Sequence, residues 1–451
     1  MKRSFEYIDQ HFDEMLEELK WLCSQPSVSA QHLGIEETAK MVEQALKKIG
    51  ATTKVLDNPN GNPVIYGELK GESDKTILMY DHYDVQPPEP LDKWIYPPFG
   101  CEIHDDKFYA RGSSDNKGTF LARVQAIEAI QKTGHKLPVN VKFLVEGEEE
   151  IGSPSLQAVV DANRDLLKAD VCLWENSQKD EDDSPVVKLG SKGMLYVELS
   201  VVTGEVDVHS GNAPIIPNAA WRLVKALDSL KDDKENVLIE GFYDDVLPIC
   251  PEEKEAWTKI PSPEFKLKKR LGIDQFLNNA TGDEINVALY TKPTCNICGI
   301  SGGYTGKGQK TVIPCTASCK LDFRLVVAQN PHHIVELLRA HLDKHGFQDV
   351  QITIVSTAAP SKTMVTEPFV KVIQNAAADV YDKPIVVLPT AAGTGPREVF
   401  EYSHMPIAGL GCGYAAENHH APNENIRLED YKESAKHIVA LLFHAANEPI
   451  V

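Results

Sequence analysis

Long apolar runs are missing from this sequence. No stretch approaches the roughly 18 apolar residues that a helix needs to cross a bilayer. Acidic residues follow Met1–Ser4 almost at once, so the apolar core of a signal peptide is missing as well. We therefore expect a soluble cytoplasmic protein with no membrane partner.

Positive charge is also scarce. Lys and Arg total 46 against 66 Asp and Glu, which gives a formal net charge of −20 and a pI near 5.2. A surface of this sign repels phosphate backbones and anionic lipids. We therefore expect no nucleic-acid partner.

The nine cysteines are an odd number spread over a long chain, which is not the pattern of a disulfide framework. Cys295 and Cys298, followed by Cys315 and Cys319, have a spacing that roughly imitates a four-thiolate zinc site. Residues 293–300 have a strand pattern, however, and strand residues three apart point to opposite faces. We interpret most of the nine cysteines as buried thiols, and Cys295–Cys319 as no zinc site.

A chain of 451 residues with 42% hydrophobic residues can form two domains, each with its own core. The first part alternates strand-like apolar runs with helical patterns, which is typical of a mixed α/β sheet covered by helices. The predicted strands are 76–80, 139–145 and 169–174, and the predicted helices are one that Ser4 caps, 35–49, about 118–133 and 154–167. Open α/β sheets place their sites at the carboxyl ends of such strands.

The pattern of apolar residues changes near residue 191. The alternation of residues 193–203 predicts a half-exposed strand. After it the patterns predict a helix at about 217–230, strands near 285–300 and 311–328, and a helix at 331–345. This succession indicates an inserted α+β domain at 191–358, which separates two parts of a catalytic domain at 1–190 and 359–451.

A histidine and an aspartate follow the strand that ends at Tyr80. His82 and Asp84 are two positions apart, so in extended backbone their side chains share a face. Asp84 could then orient the imidazole of a metal-binding His82. The pair alone is weak evidence, because a neutral histidine usually satisfies only a local hydrogen bond.

Asp115 lies just before the predicted helix 118–133, in the motif Ala110–Gly118 (ARGSSDNKG). An aspartate at such a place commonly caps the helix. The lysine and the glycines around it favour a tailored loop instead. In such a loop the two oxygens of Asp115 can bridge two cations about 3.5–4 Å apart.

Four glutamates crowd the end of an apolar strand: Glu146, Glu148, Glu149 and Glu150. Cations or shifted pKa values are needed there to offset their repulsion. Glu149 and Glu150 are adjacent and point in different directions, so one can bind metal while the other accepts a proton from water. The alternative is an exposed acidic loop, which the apolar strand before them disfavours.

Two further candidates complete the set. Glu175 follows an apolar run at a strand end, and His420 lies in a loop of glycine and proline that suits a projecting side chain, with His419 as a competing candidate. Two imidazoles, three candidate carboxylate ligands and a spare glutamate are the inventory of a two-zinc hydrolase with a general base. Manganese or cobalt would also fit such ligands.

These motifs resemble those of the co-catalytic zinc exopeptidases and deacylases, typified by carboxypeptidase G, carnosinase-type dipeptidases and acetylornithine deacetylase. The resemblance covers essentially the whole chain in order and spacing. It is carried above all by His82–Pro87 (HYDVQP), Ala110–Gly118 and Glu146–Ser153 (EGEEEIGS). Within the superfamily the chain looks most like the dipeptidase branch.

The resemblance implies a role for each candidate residue. Asp115 would bridge two zinc ions, and the full set of ligands would be His82, Asp115, Glu150, Glu175 and His420. Glu149 would be the general base, and Asp84 would orient His82. A mixed-sheet catalytic domain interrupted by a lid domain that mediates homodimerisation is also implied.

Substrate-binding residues are implied in the lid domain and in a later loop. Asp207–Gly211 resembles the family motif whose imidazole, here that of His209, reaches the active site of the partner subunit and stabilises the developing oxyanion. Arg324 resembles the arginine that grips a substrate carboxylate. Gly393 and Thr394 lie where the family has a loop that lines the substrate site.

Two positions depart from the family pattern. Asp81 replaces the usual glycine, which removes no ligand. Glu175 stands where the dipeptidase branch tends to have aspartate, whereas glutamate is more typical of carboxypeptidases and deacylases. The sequence therefore predicts a dizinc exopeptidase for dipeptides or short peptides with a free C-terminal carboxylate. An N-acyl-amino-acid deacylase is the alternative, and an inactive metal-binding protein is a remote one.

Overall fold

The computed structural model describes residues 1–451, apart from the side chain of Glu401. The chain forms two compact units. The first unit comprises Met1–Gly190, Thr363–Pro389 and Gly395–Val451. The second comprises Ser191–Lys362 and Thr390–Thr394, so it is an insertion into the first.

Helices and strands alternate along most of the chain. The α-helices are α1 (Lys2–Gln10), α2 (Phe12–Ser24), α3 (Ile35–Lys48), α4 (Lys117–Lys132), α5 (Leu156–Ala162), α6 (Ala219–Asp228), α7 (Pro251–Thr258), α8 (Glu264–Leu271), α9 (Asp283–Thr291), α10 (Pro331–Lys344), α11 (Pro368–Ala378) and α12 (Leu428–Asn447). The strands are β1 (Thr52–Leu56), β2 (Val64–Leu69), β3 (Thr76–His82), β4 (Glu102–His104), β5 (Lys107–Tyr109), β6 (Asn140–Glu146), β7 (Val171–Trp174), β8 (Gln178–Lys179), β9 (Val186–Lys188), β10 (Gly190–Ser191), β11 (Gly193–Val202), β12 (Val208–His209), β13 (Thr294–Gly302), β14 (Val312–Ile313), β15 (Thr316–Leu325), β16 (Gln351–Ala358), β17 (Ser361–Lys362), β18 (Val386–Leu388), β19 (Ile407–Gly409), β20 (Gly413–Tyr414) and β21 (Asn425–Arg427).

An eight-stranded sheet forms the centre of the first unit, in the order β1-β2-β6-β3-β7-β19-β9-β18. Side chains alternate along β3. Ile77 and Met79 lie in a core that α1 to α4, α11 and α12 help to form, whereas Leu78 and Tyr80 lie in a second core with residues of α5. Both faces of the sheet are therefore covered, as buried parallel strands require.

The carboxyl ends of three strands lie side by side in this sheet. β3 is parallel to both β6 and β7, with His82 paired to Glu146 and Met79 paired to Leu173. Residues that end or follow these strands therefore meet at one edge of the sheet, which is where open α/β sheets build their sites. α4, whose residues are almost all buried, begins at Lys117, inside the motif that carries Asp115.

A four-stranded antiparallel sheet forms the second unit, in the order β13-β15-β11-β16. Alternate residues of β11 are buried against α6 and α10, and these are Leu195, Val197, Leu199 and Val201. The residues between them are partly exposed, which is the pattern of a sheet with one covered face. The predicted fold class, a mixed sheet covered by helices with an inserted α+β unit, is confirmed.

The structure differs from the sequence prediction at two helices. α1 begins at Lys2, so Ser4 lies inside it, and its hydroxyl is 3.0 Å from Thr133 Oγ1 rather than at a helix cap. Asp283–Thr291 forms α9, although a strand was predicted from residue 285. Asp283 and Glu284 in its first turn favour a helix N-terminus electrostatically.

The cysteines are all free thiols. Cys295 is buried and Cys298 is exposed on β13, so the two point to different sides of the strand. Among the described residues the four cysteines weighed as a zinc site form no metal-ligand cluster. No helix in the described part of the chain is both long enough and apolar enough to span a bilayer.

Candidate metal centre

The first pair of candidate ligands lies at the ends of neighbouring parallel strands. His82 is the last residue of β3 and is fully buried, and Glu175 directly follows β7. Because these strands are adjacent, His82 Nε2 lies 3.5 Å from Glu175 Oε2. We call His82 and Glu175 the strand half of the centre.

The second pair lies on irregular backbone. Glu150 belongs to the single 3₁₀ turn Glu149–Ile151, which follows β6. His420 lies in the loop between β20 and β21 and has a positive φ of 60°. Its Nε2 is 3.0 Å from Glu150 Oε2, and its side chain is 49% exposed. We call Glu150 and His420 the loop half.

Asp115 lies between the two halves. Its Oδ1 is 3.1 Å from His82 Nε2, and its Oδ2 is 3.0 Å from His420 Nε2. One carboxylate thus presents one oxygen to each half, as a carboxylate that bridges two cations must. α4 begins at Lys117 without a side-chain hydrogen bond at its N-terminus, so the helix-cap alternative for Asp115 is not supported.

The electrostatics of this cluster indicate a deficit of positive charge. Burial raises the pKa of Glu175 to about 8, although the charge of His82 opposes the shift. Hydrogen bonds with Asp115 and Glu150 raise the pKa of His420 to about 10. Both groups hold their protons because crowded, buried carboxylates need positive charge nearby.

The donor set suits a cation in its chemistry as well as in its charge. Ligand atoms of Asp115, Glu150 and His420 lie within 4.8 Å of one another. Glu175 Oε2 is buried and accepts no hydrogen bond from the residues that the structure describes. Imidazole nitrogens and carboxylate oxygens are ligands for zinc, manganese and cobalt. The residues therefore fit the metal ions that the sequence predicts.

Asp84 has contacts with both halves. His82 Nδ1 lies 3.1 Å from the backbone oxygen of Asp84 and 3.4 Å from its carboxylate, so this residue faces the imidazole as expected. Its carboxylate also accepts hydrogen bonds from the amides of Glu149, at 3.2 Å, and Glu150, at 3.1 Å. Gln86 holds the Glu150 carboxylate through Nε2 at 2.9 Å. Asp84 therefore positions the 3₁₀ turn as well as His82.

Glu149 has the carboxylate that is not used for structure. Its amide is fixed by Asp84, while its carboxylate accepts no hydrogen bond from the described residues. Burial, and then the charge of Glu175, raises the pKa of Glu149 well above its usual range. A carboxyl group with these properties is suited to accept and return a proton.

An asparagine pair was missed by the sequence analysis. Asn176 Nδ2 donates to Asp115 Oδ1 at 2.6 Å, and Asn116 Nδ2 donates to Asn176 Oδ1 at 3.0 Å. Asn116 also accepts from the backbone amide of His82 at 3.2 Å. Each asparagine is adjacent in sequence to a predicted ligand, and that adjacency was the available signal.

A buried ion pair behind Asp115 was missed as well. Glu424 accepts hydrogen bonds from the amides of Ser114, at 3.0 Å, and Asp115, at 3.1 Å. Arg111 Nη1 donates to the same carboxylate at 2.6 Å, and both side chains are 1% exposed. Arg111 lies inside the motif Ala110–Gly118 and Glu424 follows His420 closely, but their pairing spans 313 positions and leaves no local pattern.

The two adjacent histidines have different partners. His419 Nδ1 lies 2.9 Å from Glu417 Oε1, and Glu417 Oε2 accepts from Ser114 Oγ at 2.5 Å. His420, by contrast, faces Asp115. The structure therefore brings His420, not His419, into the ligand cluster.

The second unit holds the other candidates. Arg324 on β15 has Nε 3.2 Å from Asp322 Oδ2, and its Nη1 donates to Thr394 Oγ1 at 2.9 Å. The carbonyl of Gly393 accepts from the amide of Lys192 at 3.0 Å. Asp322 and Thr394 thus hold two edges of a guanidinium that stays about one-third exposed.

His209 lies on the surface of the second unit. Its Nδ1 accepts a hydrogen bond from the amide of Gly211 at 3.0 Å, so in the neutral ring the proton is on Nε2. The imidazole is exposed, and its ring is held at one nitrogen by the adjacent 3₁₀ turn, Ser210–Asn212. An exposed Nε2–H is available as a donor to another molecule.

Comparison with known proteins identifies the family. A model for peptidase family M20/M25/M40 matches residues 78–444, a range that contains every candidate ligand. The chain belongs to peptidase family M20/M25/M40. The resemblance inferred from the motifs is confirmed.

Relatives define the branch of this M20 peptidase. Human Beta-Ala-His dipeptidase is 30% identical over 484 aligned positions, which cover 99% of this chain and 93% of that protein. The crystal structure of the M20 family metallo-carboxypeptidase Sso-CP2 from Sulfolobus solfataricus is 41% identical, has a TM-score of 0.90 and matches over 96% of this chain and 99% of that one. Human carnosine dipeptidase 1 is 27% identical, with a TM-score of 0.76 over 99% of both chains. This M20 peptidase is a metal-dependent hydrolase of the dipeptidase branch.

Proposed function

We propose that this M20 peptidase is a dinuclear zinc enzyme that hydrolyses the amide bond of dipeptides or short peptides with a free C-terminal carboxylate. One observation carries the dinuclear part: the two oxygens of Asp115 face His82 at 3.1 Å and His420 at 3.0 Å. The same carboxylate can therefore serve two ions at once.

Each half of the centre would hold one ion together with Asp115. His82 and Glu175 supply a nitrogen and an oxygen in the strand half, and His420 and Glu150 do the same in the loop half. Such ions polarise a substrate carbonyl and make water more acidic. Zinc matches these ligands best, and manganese or cobalt would substitute.

Glu149 acts as the general base in this proposal. It takes a proton from the water that adds to the substrate carbonyl, and then delivers a proton to the nitrogen as the C–N bond breaks. The products are a free amine and a carboxylate, so atoms and charge balance. The absence of a hydrogen-bond partner on the Glu149 carboxylate among the described residues supports this role, because the group is free to contact water.

Arg324 binds the free carboxylate of the substrate. A guanidinium presents paired N–H groups that match a carboxylate in geometry as well as charge. Asp322 and Thr394 restrict its orientation, and Gly393 contributes the backbone next to Thr394. The relatives named as a carboxypeptidase and as a Beta-Ala-His dipeptidase support a substrate with this terminus.

The enzyme is a homodimer in this proposal, and residues 191–358 form its lid and dimerisation domain. The partner subunit's His209 then donates from Nε2 to the oxyanion that develops on the carbonyl oxygen. Support comes from the exposure of His209 and from the hydrogen bond that leaves its Nε2 free to donate.

The test is amide hydrolysis by the purified protein with zinc or manganese supplied. The panel pairs each dipeptide with its C-terminal amide and with the N-acetyl-amino-acid counterpart. We expect turnover of the dipeptides, weak turnover of the amides, and a bound metal content of two per chain. Exclusive cleavage of the acylated compounds would move the protein to the deacylases, and no turnover at full metal loading would support a binding protein.

A further inference from the structure

One buried arginine contacts the ends of three strands and takes no part in the proposed reaction. Arg123 lies on α4 and is 1% exposed. Its guanidinium donates to backbone oxygens at Tyr80 (2.9 Å), Leu173 (3.2 Å), Trp174 (2.5 Å), Glu175 (3.0 Å) and Leu410 (3.0 Å). These residues lie at the carboxyl ends of β3, β7 and β19. A single planar group therefore fixes the spacing of these strand ends.

The charge of this arginine has one partner. Arg123 Nη1 lies 3.0 Å from Asp81 Oδ2, and both side chains are inaccessible to solvent. Asp81 directly precedes His82, and the carbonyl of Glu175 is itself an acceptor of Arg123. Arg123 thus bonds to the backbone of Glu175 and to the side chain of Asp81, the residue before His82.

We propose that Arg123 and Asp81 are positioning residues for the strand half, and that they set the affinity of the metal position formed by His82 and Glu175. This rests on the proposed dinuclear function. A metal ion requires its ligand atoms within tenths of an ångström of their preferred distances. Residues that hold the ligands in place therefore affect affinity without touching the ion.

The effect is selective because the loop half is held by other residues. Glu150 is fixed through Asp84 and Gln86. His420 lies in the same loop as Glu424, which pairs with Arg111. Arg123 bonds to none of the residues in that support. Its loss should weaken one metal position and leave the other in place.

The experiment measures metal stoichiometry and affinity by zinc titration of the full-length apo-protein. The main variant is the double substitution Asp81→Asn with Arg123→Met, which removes both charges and so leaves no buried charge without a partner. Arg397→Met is the matched control. Arg397 is also a buried arginine that donates to backbone carbonyls, those of Leu189 between β9 and β10 and of Ile407 on β19, but it bonds to no ligand backbone.

The wild type and the control are expected to bind two ions per chain. The double variant is expected to keep one tight ion and to bind the other at least tenfold more weakly. A His420→Ala background identifies the position, because it retains only the strand half. Adding the double variant there should remove the remaining tight ion.

Other results would show whether the positioning role or the dinuclear function is wrong. Two ions bound by the double variant with wild-type affinity would overturn the positioning role. Equal weakening of both positions, or the same loss in Arg397→Met, would also overturn it, because it would show general damage. A wild type that binds a single ion would overturn the dinuclear function itself.

A milder variant covers the case in which the double variant does not fold. Arg123→Lys keeps a positive charge beside Asp81 but offers a single nitrogen in place of a planar group with several N–H donors. Selective weakening of one ion in this variant, with a folded circular-dichroism spectrum, supports the proposal. Unchanged binding of both ions contradicts it.

Discussion

The two halves of the candidate metal centre are built on different kinds of backbone. His82 and Glu175 stand at the ends of buried parallel strands, and His82 is fully buried. His420 stands in a loop, and its side chain is 49% exposed. Glu150 belongs to a single 3₁₀ turn. Asp115 faces both halves, and Asp84 supports both.

Because of this difference, we expect the strand half to be more rigid and the loop half to be more accessible to solvent. A ligand at the end of a central strand moves only if the sheet moves, whereas a ligand in a surface loop follows a less stable part of the fold. We expect the strand half to bind its ion more tightly and to exchange it more slowly. The loop half should be the route by which ions enter and leave.

The largest expected effect comes from a residue that belongs to neither half. Glu149→Gln keeps the size of the side chain but removes the proton acceptor, so turnover should fall by about 10²–10⁴-fold. Both ions should stay bound, because Glu149 holds neither. The measurement is kcat together with metal content by elemental analysis. Loss of an ion, or unchanged kcat, would contradict the assignment of Glu149 as the base.

The halves themselves are compared by His82→Ala and His420→Ala. Each should weaken one ion by about 100-fold or more, because a direct ligand matters at least as much as the residues behind it. Only His82→Ala should also destabilise the apo-protein, by about 2 kcal/mol, because it leaves a buried cavity. Zinc titration and denaturant unfolding of the metal-free proteins test both points. Equal free energies of unfolding in the two variants would show that the strand half and the loop half do not differ in rigidity.

Exchange rates sharpen the comparison further. On mixing the loaded enzyme with excess chelator, we expect two phases of metal release that differ by about tenfold in rate, which corresponds to about 1.4 kcal/mol in barrier height. His420→Ala, which keeps the strand half, should show only the slow phase. A single phase in the wild type, or a fast phase in this variant, would show that access does not differ.

The smallest effect concerns a histidine outside both halves. Burial lowers the pKa of His437 on α12 to about 4, below the usual 6.5, although a contact to the Ile373 carbonyl opposes the shift. The unfolded chain therefore binds this proton more readily. The stability from a neutral His437 is fully present above about pH 6.5 and is lost as the pH falls towards 4.

His437→Gln serves as the background for acid tests of the metal centre. Between pH 8 and pH 5.5 the wild-type apo-protein should lose about 1–2 kcal/mol more stability than this variant does. Urea unfolding at both pH values gives the two differences. Identical losses would mean that His437 contributes nothing to acid sensitivity.

The meeting of His82 and Glu175 could be predicted from the sequence because strand ends are visible in it. The apolar run that ends at Tyr80 is followed by His82 after one residue, and the run that ends at Trp174 is followed directly by Glu175. Neighbouring parallel strands place their carboxyl ends at the same edge of the sheet. Asp115 and His420 were candidates because of the loops that carry them, and the family resemblance then implied their roles.

The supporting contacts could not be predicted, because they join distant positions through backbone groups. Arg123 donates to carbonyls, and any residue type provides a carbonyl. Glu424 accepts from two backbone amides about 310 positions away, for the same reason. The three-residue shift in the start of α1 is of the same kind, since the partner of Ser4 is Thr133, just after the end of α4.

The sequence explains only part of the behaviour of the four clustered glutamates, Glu146, Glu148, Glu149 and Glu150. Crowded carboxylates were expected to need cations or shifted pKa values, and burial does raise the pKa of Glu146 to about 7. Its oxygen, however, accepts hydrogen bonds from Tyr80, at 2.5 Å, and Ser153, at 2.8 Å. Glu148 accepts from the amide of Asn62 at 3.0 Å. Glu146 and Glu148 are therefore structural. The sequence around the four glutamates does not distinguish these two from Glu149 and Glu150.

The position of His420 in the chain has a consequence for biosynthesis. More than half of the sequence lies between Glu175 and His420, and the whole second unit is made in that interval. A growing chain therefore carries His82, Asp115, Glu150 and Glu175 long before it carries the last ligand. In the proposed centre, both residues of the strand half have therefore been made by residue 175, whereas the loop half is incomplete until residue 420 has left the ribosome.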